Sequence, residues 1–377
     1  MARVVVLGAG FGGLELTTLL SEEFGDDLDL VLIDQADHFI FGFSKLDVMF
    51  GRATAPQVLH RYADIVKPGV RFVQSTITSI DPAGKTVCTD QGDFNGDYLV
   101  VALGADLDPA AIPGLVEHGH EFYTPEGAFA LRDVLAGFAG GHAVVGVTST
   151  PFKCPPAPSE TALLMHDLLI ERGLLDSASV SLVMPLPAPI PPSPDASAAL
   201  LTEFARRGIG WHPECLVRHV DGDRGVLVMA DGAEMPYDLF LAVPPHQAPT
   251  VVVDAGLTVD GWIPVDPLTM ETSFPGVYAI GDVTSVGTPK AGVFAEGQAV
   301  VAAARIAALL RGESPDSAYD GHGICYLQFG QDAVAKVDVT FHAGHRPVGH
   351  MEGPSPQLVQ DKELFGSSRV KRWFGSA

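Results

Sequence analysis

The stretch "ARVVVLGAGFGGLELTTLL", residues 2–20, decides the fold class. An apolar run ends at a turn carrying Gly8, Gly10 and Gly13, and a helix-forming segment follows. This is strand, glycine turn, helix, with the spacing GxGxxG. Gly8 permits the tight turn, Gly10 lets the backbone approach a pyrophosphate, and Gly13 lets the helix pack close to the strand. The helix N-terminus then faces the anion. Phe11 and Gly12 lie within the same turn. A second apolar strand, "LDLVLIDQ", ends at Asp34 and Gln35, with the acid placed about 20 residues on, where it can accept from a ribose hydroxyl. A dinucleotide site is the reading.

Composition bounds the rest. The chain of 377 residues is long enough for two or three domains, and 47% hydrophobic against 18% charged residues makes it globular. A formal charge of −23 repels phosphate backbones, so nucleic acid is not an expected partner. The chain opens directly into a strand, without a charged head and apolar middle, and the apolar stretch Ala299 to Leu310 falls short of the ~20 residues of a span. A cytoplasmic protein, soluble or peripheral on the inner face of the membrane, is expected. Four cysteines do not make a disulfide scaffold, so any disulfide would be catalytic.

Working outward, a second α/β unit has strands "HAVVGV" (142–147), "VSLVMP" (180–185) and "DLFLAVPP" (238–245), with helices near Ser159–Arg172 and Ala196–Arg207. Pro185 to Pro194 reads as a surface loop. Residues 313–377 form a tail with strands "GICYLQF" and "AVAKVDVTF". After its first strand the second unit reads "GVTSTPFKCPPAP", with Gly146 the only glycine up to Pro158. No glycine allows close approach of a pyrophosphate, and the prolines remove N–H donors, so a nicotinamide cofactor is not expected there.

Two further segments, "DYLVVALGA" (97–105, with Ala102 and Gly104) and "TSFPGVYAIGDVTS" (272–285, with Gly281 and Asp282), resemble motifs of the two-dinucleotide-domain, glutathione-reductase-like flavoproteins. The resemblance implies FAD, with Gly281 in close approach and Asp282 hydrogen-bonding. It also implies an α/β fold of two Rossmann-like domains. The FAD domain would be discontinuous, 1–105 and 258–312, with a second domain at 106–257 and a short α+β tail at 313–377.

"PFKCPPAPSE", "LFLAVPPHQAP", "TPKAGVFAEGQA" and "GICYLQFG" sharpen the resemblance to the sulfide:quinone oxidoreductases and the flavoprotein subunits of flavocytochrome c sulfide dehydrogenase. It implies that Cys154 and Cys325, 171 positions apart, form a redox pair on one face of the flavin. Cys154 would carry sulfur, and Cys325 would pass two electrons to the ring. Glu160 would move protons, or would serve only as a helix N-terminal acid. Lys290 and the helix beginning near Ala291 and Gly292 would stabilise charge on the reduced flavin, unless Lys290 is an ordinary surface lysine. Phe43 and Ser44 would border the ring, unless the phenylalanines only pack the core, and Ile77 would border the cofactor. "FIFGFSK" (39–45) has no cysteine for covalent attachment, so the FAD would be non-covalent.

Sulfide is then the implied donor and a quinone the acceptor. The alternatives are a flavoprotein reductase of the same fold with another donor or acceptor, such as NAD(P)H or a thiol, and a non-catalytic flavin-binding regulator. Arg369, Lys371 and Arg372 beside Trp373 and Phe374 suit an anionic membrane surface, or else the tail docks on its own domain or a second subunit. A homodimer is expected. Cys88 and Cys215 read as small buried residues, and His342, His345 and His350 lack metal-ligand spacing, so no metal site is expected.

Overall fold

The computed structural model describes residues 1–342 and 344–375; the end of the tail, 376–377, lies outside the described residues. Two five-stranded sheets, each wholly parallel, dominate it. In the first, Arg3–Leu7 is central, flanked by Asp29–Asp34 and Tyr98–Val101, with Val70–Gln74 and Val277–Ala279 at the edges. In the second, Gly141–Val147 is central, between Leu239–Val243 and Ala178–Val183. The central strands read as unbroken apolar runs because helices or loops cover both faces, as parallel sheets require. Val4 through Leu7 are fully buried, alternating between two separate apolar clusters, and Ala143, Val144 and Val145 are fully buried in the second sheet.

The late strand Val277–Ala279 returns to the first sheet next to Tyr98–Val101. That pairing closes the sheet with a segment distant in sequence and carries Gly281 and Asp282 to the carboxyl ends of the strands, where ligands bind in such folds.

Three elements differ from expectation. The apolar stretch read from Ala299 joins the helix expected near Ala291 and Gly292, and the whole runs from Gly292 to Leu310, longer than the stretch judged too short for a span. By length and apolarity it could cross a membrane, yet more than half of it is buried inside the protein. Ala295, Ala299, Ala302 and Ala303 are all buried along it, small side chains that permit close approach to the helix Phe11–Phe24. The proline-rich loop is pinned rather than simply laid on the surface: the Ser197 hydroxyl bonds both the N–H and the carbonyl of Ile190, which is buried.

The tail, third, is more ordered than its two expected strands. It forms a three-stranded antiparallel sheet, His322–Gln328, Val334–Thr340 and Val348–Ser355, followed by the helix Gln357–Phe374. This helix docks on the first unit. Trp373 is fully buried against Phe11, Phe39 and Phe41, and its indole N–H donates to Glu15 at 2.7 Å. Arg372 pairs with Glu15 and with Glu22, and Arg369 makes 2.8 Å contacts to both Glu296 carboxylate oxygens. Of the two expectations for this cluster, the docking of the tail on its own domain is the one seen in these contacts. Its aromatics fill the protein's own core and its two arginines are spent on intramolecular pairs, while Lys371 stays exposed.

Candidate active site

The turn after Arg3–Leu7 is shaped by contacts only glycine allows. A Cβ on Gly8 would lie 2.4 Å from the Ala102 carbonyl oxygen, and one on Gly13 would lie 1.9 Å from the Gly8 carbonyl oxygen. Gly8 also has φ +98°, in the region that favours glycine. A Cβ on Gly10 would meet nothing within 4 Å. Gly10 thus faces open space, at the start of the helix Phe11–Phe24.

That space is a pair of abutting clefts sharing Gly10, Ala102 and Gly104, of roughly 990 and 1090 Å³ empty volume. One reaches Asp34, Gln35 and Ile77; the other reaches Phe43, Cys154, Glu160, Asp282 and Lys290. Such an elongated slot, crossed at its middle by a helix N-terminus, fits a dinucleotide. Asp34 accepts from the N–H groups of Ala9 at 2.7 Å and Ala36 at 2.9 Å, which fixes its carboxylate at the first cleft. Burial raises its pKa, and these backbone bonds oppose the rise. Gly13 lines neither cleft; it is the glycine of helix-to-strand packing. Ser44 does not line them either, among the described residues.

At the far end the Gly281 N–H donates to Gln298 Oε1 at 2.6 Å, and a Cβ on Gly292 would strike the Phe11 ring at 2.6 Å. These contacts lock the start of the helix Gly292–Leu310 against the glycine turn. Ala291 is the N-cap of that helix, and Gly292 its first residue, both on the cleft wall.

The loop bearing Cys154 leaves the second sheet and attaches to the first unit. Cys154 N–H donates to the Lys290 carbonyl at 2.7 Å, and Lys153 Nζ donates to the Ala105 carbonyl at 2.8 Å. Phe152, two residues before Cys154, is buried. The loop is thus held against the first unit on both sides of Cys154. Cys154 has φ +48°, a left-handed conformation that costs a side-chain-bearing residue on the order of 1–2 kcal/mol. Strain of this kind gathers at functional sites.

Glu160 sits one turn into the following helix, Ala157–Glu171, and is almost wholly buried. Its Oε1 accepts from the Gln328 N–H at 2.7 Å, and Gln328 Oε1 accepts from Lys362 Nζ at 2.7 Å. Burial raises the Glu160 pKa, against the charge of Lys362 and that N–H. Cys325 lies on the strand ending at Gln328, close enough for its charge and that of Glu160 to act on Cys154. Both thiols are raised by burial first and Glu160 next, Cys325 to about 12. Cys325 is not among the residues lining the cleft, and both cysteines are free thiols here.

Lys290 is not a surface lysine; it lies on the cleft wall beside Ala291 and Gly292. Buried, it donates to the carbonyls of Asp282 at 2.5 Å and Thr284 at 3.2 Å, and lies 3.3 Å from the Trp262 ring centroid. Burial lowers its pKa to about 8.

Lys45, Lys153 and Lys362 were missed by sequence reasoning. Each is separated from its partner by tens of positions or more, so no local spacing marks it. Cys88 and Cys215 are half-buried and line neither cleft. Among the described residues no cluster of His, Cys, Asp and Glu could hold a metal.

Residues 2–305 match the family model described as pyridine nucleotide-disulphide oxidoreductase. The mitochondrial sulfide:quinone oxidoreductase of Mus musculus is 24% identical, over 90% of this chain and 78% of its own. The sulfide-quinone reductase of Aquifex aeolicus is 26% identical, over 88% and 82%. The crystal structure of the Aquifex aeolicus sulfide:quinone oxidoreductase superposes with a TM-score of 0.88, at 23% identity, covering 99% of this chain and 92% of that one. At that identity the superposition establishes the shared fold.

Proposed function

The chain belongs to the pyridine nucleotide-disulphide oxidoreductase family, and from that premise we propose that it oxidises sulfide, with Cys154, Cys325 and Glu160 as the reacting groups and a quinone as electron acceptor. It is an FAD-dependent oxidoreductase of the sulfide:quinone oxidoreductase type. Bound FAD supplies a two-electron acceptor. The residues that would hold it are Gly8, Gly10, Asp34, Gly281 and Asp282, along the paired clefts.

The observation that carries the proposal is the placement of Cys154. A strained cysteine occupies the wall of the cleft that also holds Glu160, pinned by its backbone to the Lys290 segment. Its loop holds the sulfur without conformational search, the proximity term of catalysis. Cys154 would take the incoming sulfur, and Cys325, on the adjoining strand, would complete the thiol pair. Glu160 would take the proton of incoming hydrosulfide, since a buried carboxylate with a raised pKa exchanges protons nearer neutral pH. The loop also argues against entry of electrons from a nicotinamide, because its prolines and its attachment to the first unit leave no glycine turn for a pyrophosphate. Quinone as acceptor is supported by the relatives' names.

The test is anaerobic addition of sulfide to the purified flavoprotein. The visible flavin band should bleach, and a soluble quinone should restore it. Bleaching by NADH and none by sulfide would reject the proposal in favour of a nicotinamide-driven reductase.

A further inference from the structure

Lys45 occupies a costly position. It is the fourth residue of the helix Gly42–Met49 and lines the same cleft as Cys154. It is half-buried in the cleft wall, so its ammonium is partly withdrawn from water. Lys153 repels it, and it stands in the first turn of a helix, where the macrodipole disfavours a cation and no acid compensates. In return it donates one hydrogen bond, to the Tyr123 carbonyl. Among the described residues no carboxylate lies within ion-pair distance of it. Glu121, whose charge reaches it, already accepts from the N–H groups of Tyr123 and Thr124 and from the Thr124 hydroxyl. Burial and Lys153 lower its pKa to about 8.

An anion in the cleft would offset these costs, and beside the carboxylates of Glu160 and Asp282 the Cys154 thiol can become one. Around Cys154, the charges of Glu160 and Cys325 oppose ionisation; Lys45 is the side chain that favours it. The Tyr123 hydroxyl is buried and without a hydrogen-bond partner among the described residues, and Tyr123 lines the same cleft, so it has a donor to offer. The other two cleft lysines are committed elsewhere, Lys153 to Ala105 and Lys290 to Asp282 and Thr284.

We propose that Lys45 is the positioning cation for the Cys154 sulfur, holding that sulfur, and the sulfur anion it receives, in the charged nucleophilic form. The second half rests on the sulfide reading above; the first does not. The step is an ionisation. The S–H bond of Cys154 breaks, its proton leaves to water in the open cleft, and the electron pair stays on sulfur for Lys45 to stabilise. No electrons leave the protein in this step.

The experiment is carbamidomethylation of the reduced, FAD-loaded full chain by iodoacetamide across a pH series, with each cysteine read separately by peptide mass spectrometry. Near neutral pH, K45M and K45Q should both alkylate Cys154 about tenfold more slowly than the natural chain, the effect of removing one nearby opposite charge. K45R should restore the rate to within about twofold, because the charge is retained. Cys88, outside the cleft, should keep its rate in all variants and report intact folding. An unchanged Cys154 rate in the neutral variants would overturn the proposal, as would K45R as slow as K45M. The assay contains no sulfide. A natural chain that sulfide fails to bleach would therefore sink the functional reading without touching this result.

Discussion

Gly10 and Gly13 belong to one motif but should fail in opposite ways when each is replaced by alanine. For Gly13→Ala the new Cβ would lie 1.9 Å from the Gly8 carbonyl oxygen and 3.0 Å from the Gly8 carbonyl carbon. Ordinary carbon contacts sit near 3.5–4.0 Å. Both neighbours are backbone of the same tight turn, so relief needs a shift of helix against strand. Overpacking of this kind costs about 3 kcal/mol, at the upper end of its usual range. Alanine returns up to about 1 kcal/mol of helix propensity. The net loss is about 2 kcal/mol, a fall in melting temperature of about 2–3 °C for a chain of this length.

For Gly10→Ala nothing lies within 4 Å of the new methyl, so the protein alone should be stable to within about 0.5 kcal/mol. The methyl instead occupies the room through which a pyrophosphate approaches the helix N-terminus. Loss of one charge-assisted hydrogen bond, about 1.5–3 kcal/mol, weakens FAD binding roughly 10- to 100-fold. The assay is thermal unfolding of the flavin-free proteins, followed by titration with FAD read by flavin fluorescence. The reasoning is refuted if flavin-free G10A melts as low as G13A, or if G10A binds FAD as tightly as the natural chain.

Cys154→Ser and Cys325→Ser should each abolish sulfide bleaching while retaining bound FAD; activity in both variants would remove the cysteines from the mechanism. Glu160 has a raised pKa, so if its carboxylate is the base, activity should fall as pH drops through that pKa. Lys362→Met removes the charge opposing the rise, so the acid limb should move to higher pH, by about 1 unit or more, in a pH–rate profile. A limb that moves to lower pH contradicts the assignment. Trp373→Ala should cost about 3–5 kcal/mol, seen in denaturant unfolding, because it empties a fully buried site and takes the indole donor from Glu15. A loss below about 1 kcal/mol would mean that the tail is not docked as described.

The sequence by itself determined the parts whose physics is local. Gly8, Gly10 and Gly13, with Asp34 at the end of the next strand, specify a turn, a helix start and an acid within a short span, and a dinucleotide-binding α/β unit follows. The missing glycines and added prolines of 148–158 were legible for the same reason: they alter which backbone conformations and N–H donors are present, whatever surrounds them. Only the tertiary structure decided what depends on distant partners. Arg369, Arg372 and Trp373 carry the composition of a membrane-facing patch, yet Glu296, Glu15 and the phenylalanines of the first unit claim them. Lys290 bonds two carbonyls, Lys45 bonds the Tyr123 carbonyl on the wall it shares with Cys154, and Gln328 joins Glu160 to Lys362. Each pairing is set by desolvation and charge in the assembled core, and those energies do not exist until segments remote in sequence have closed on one another.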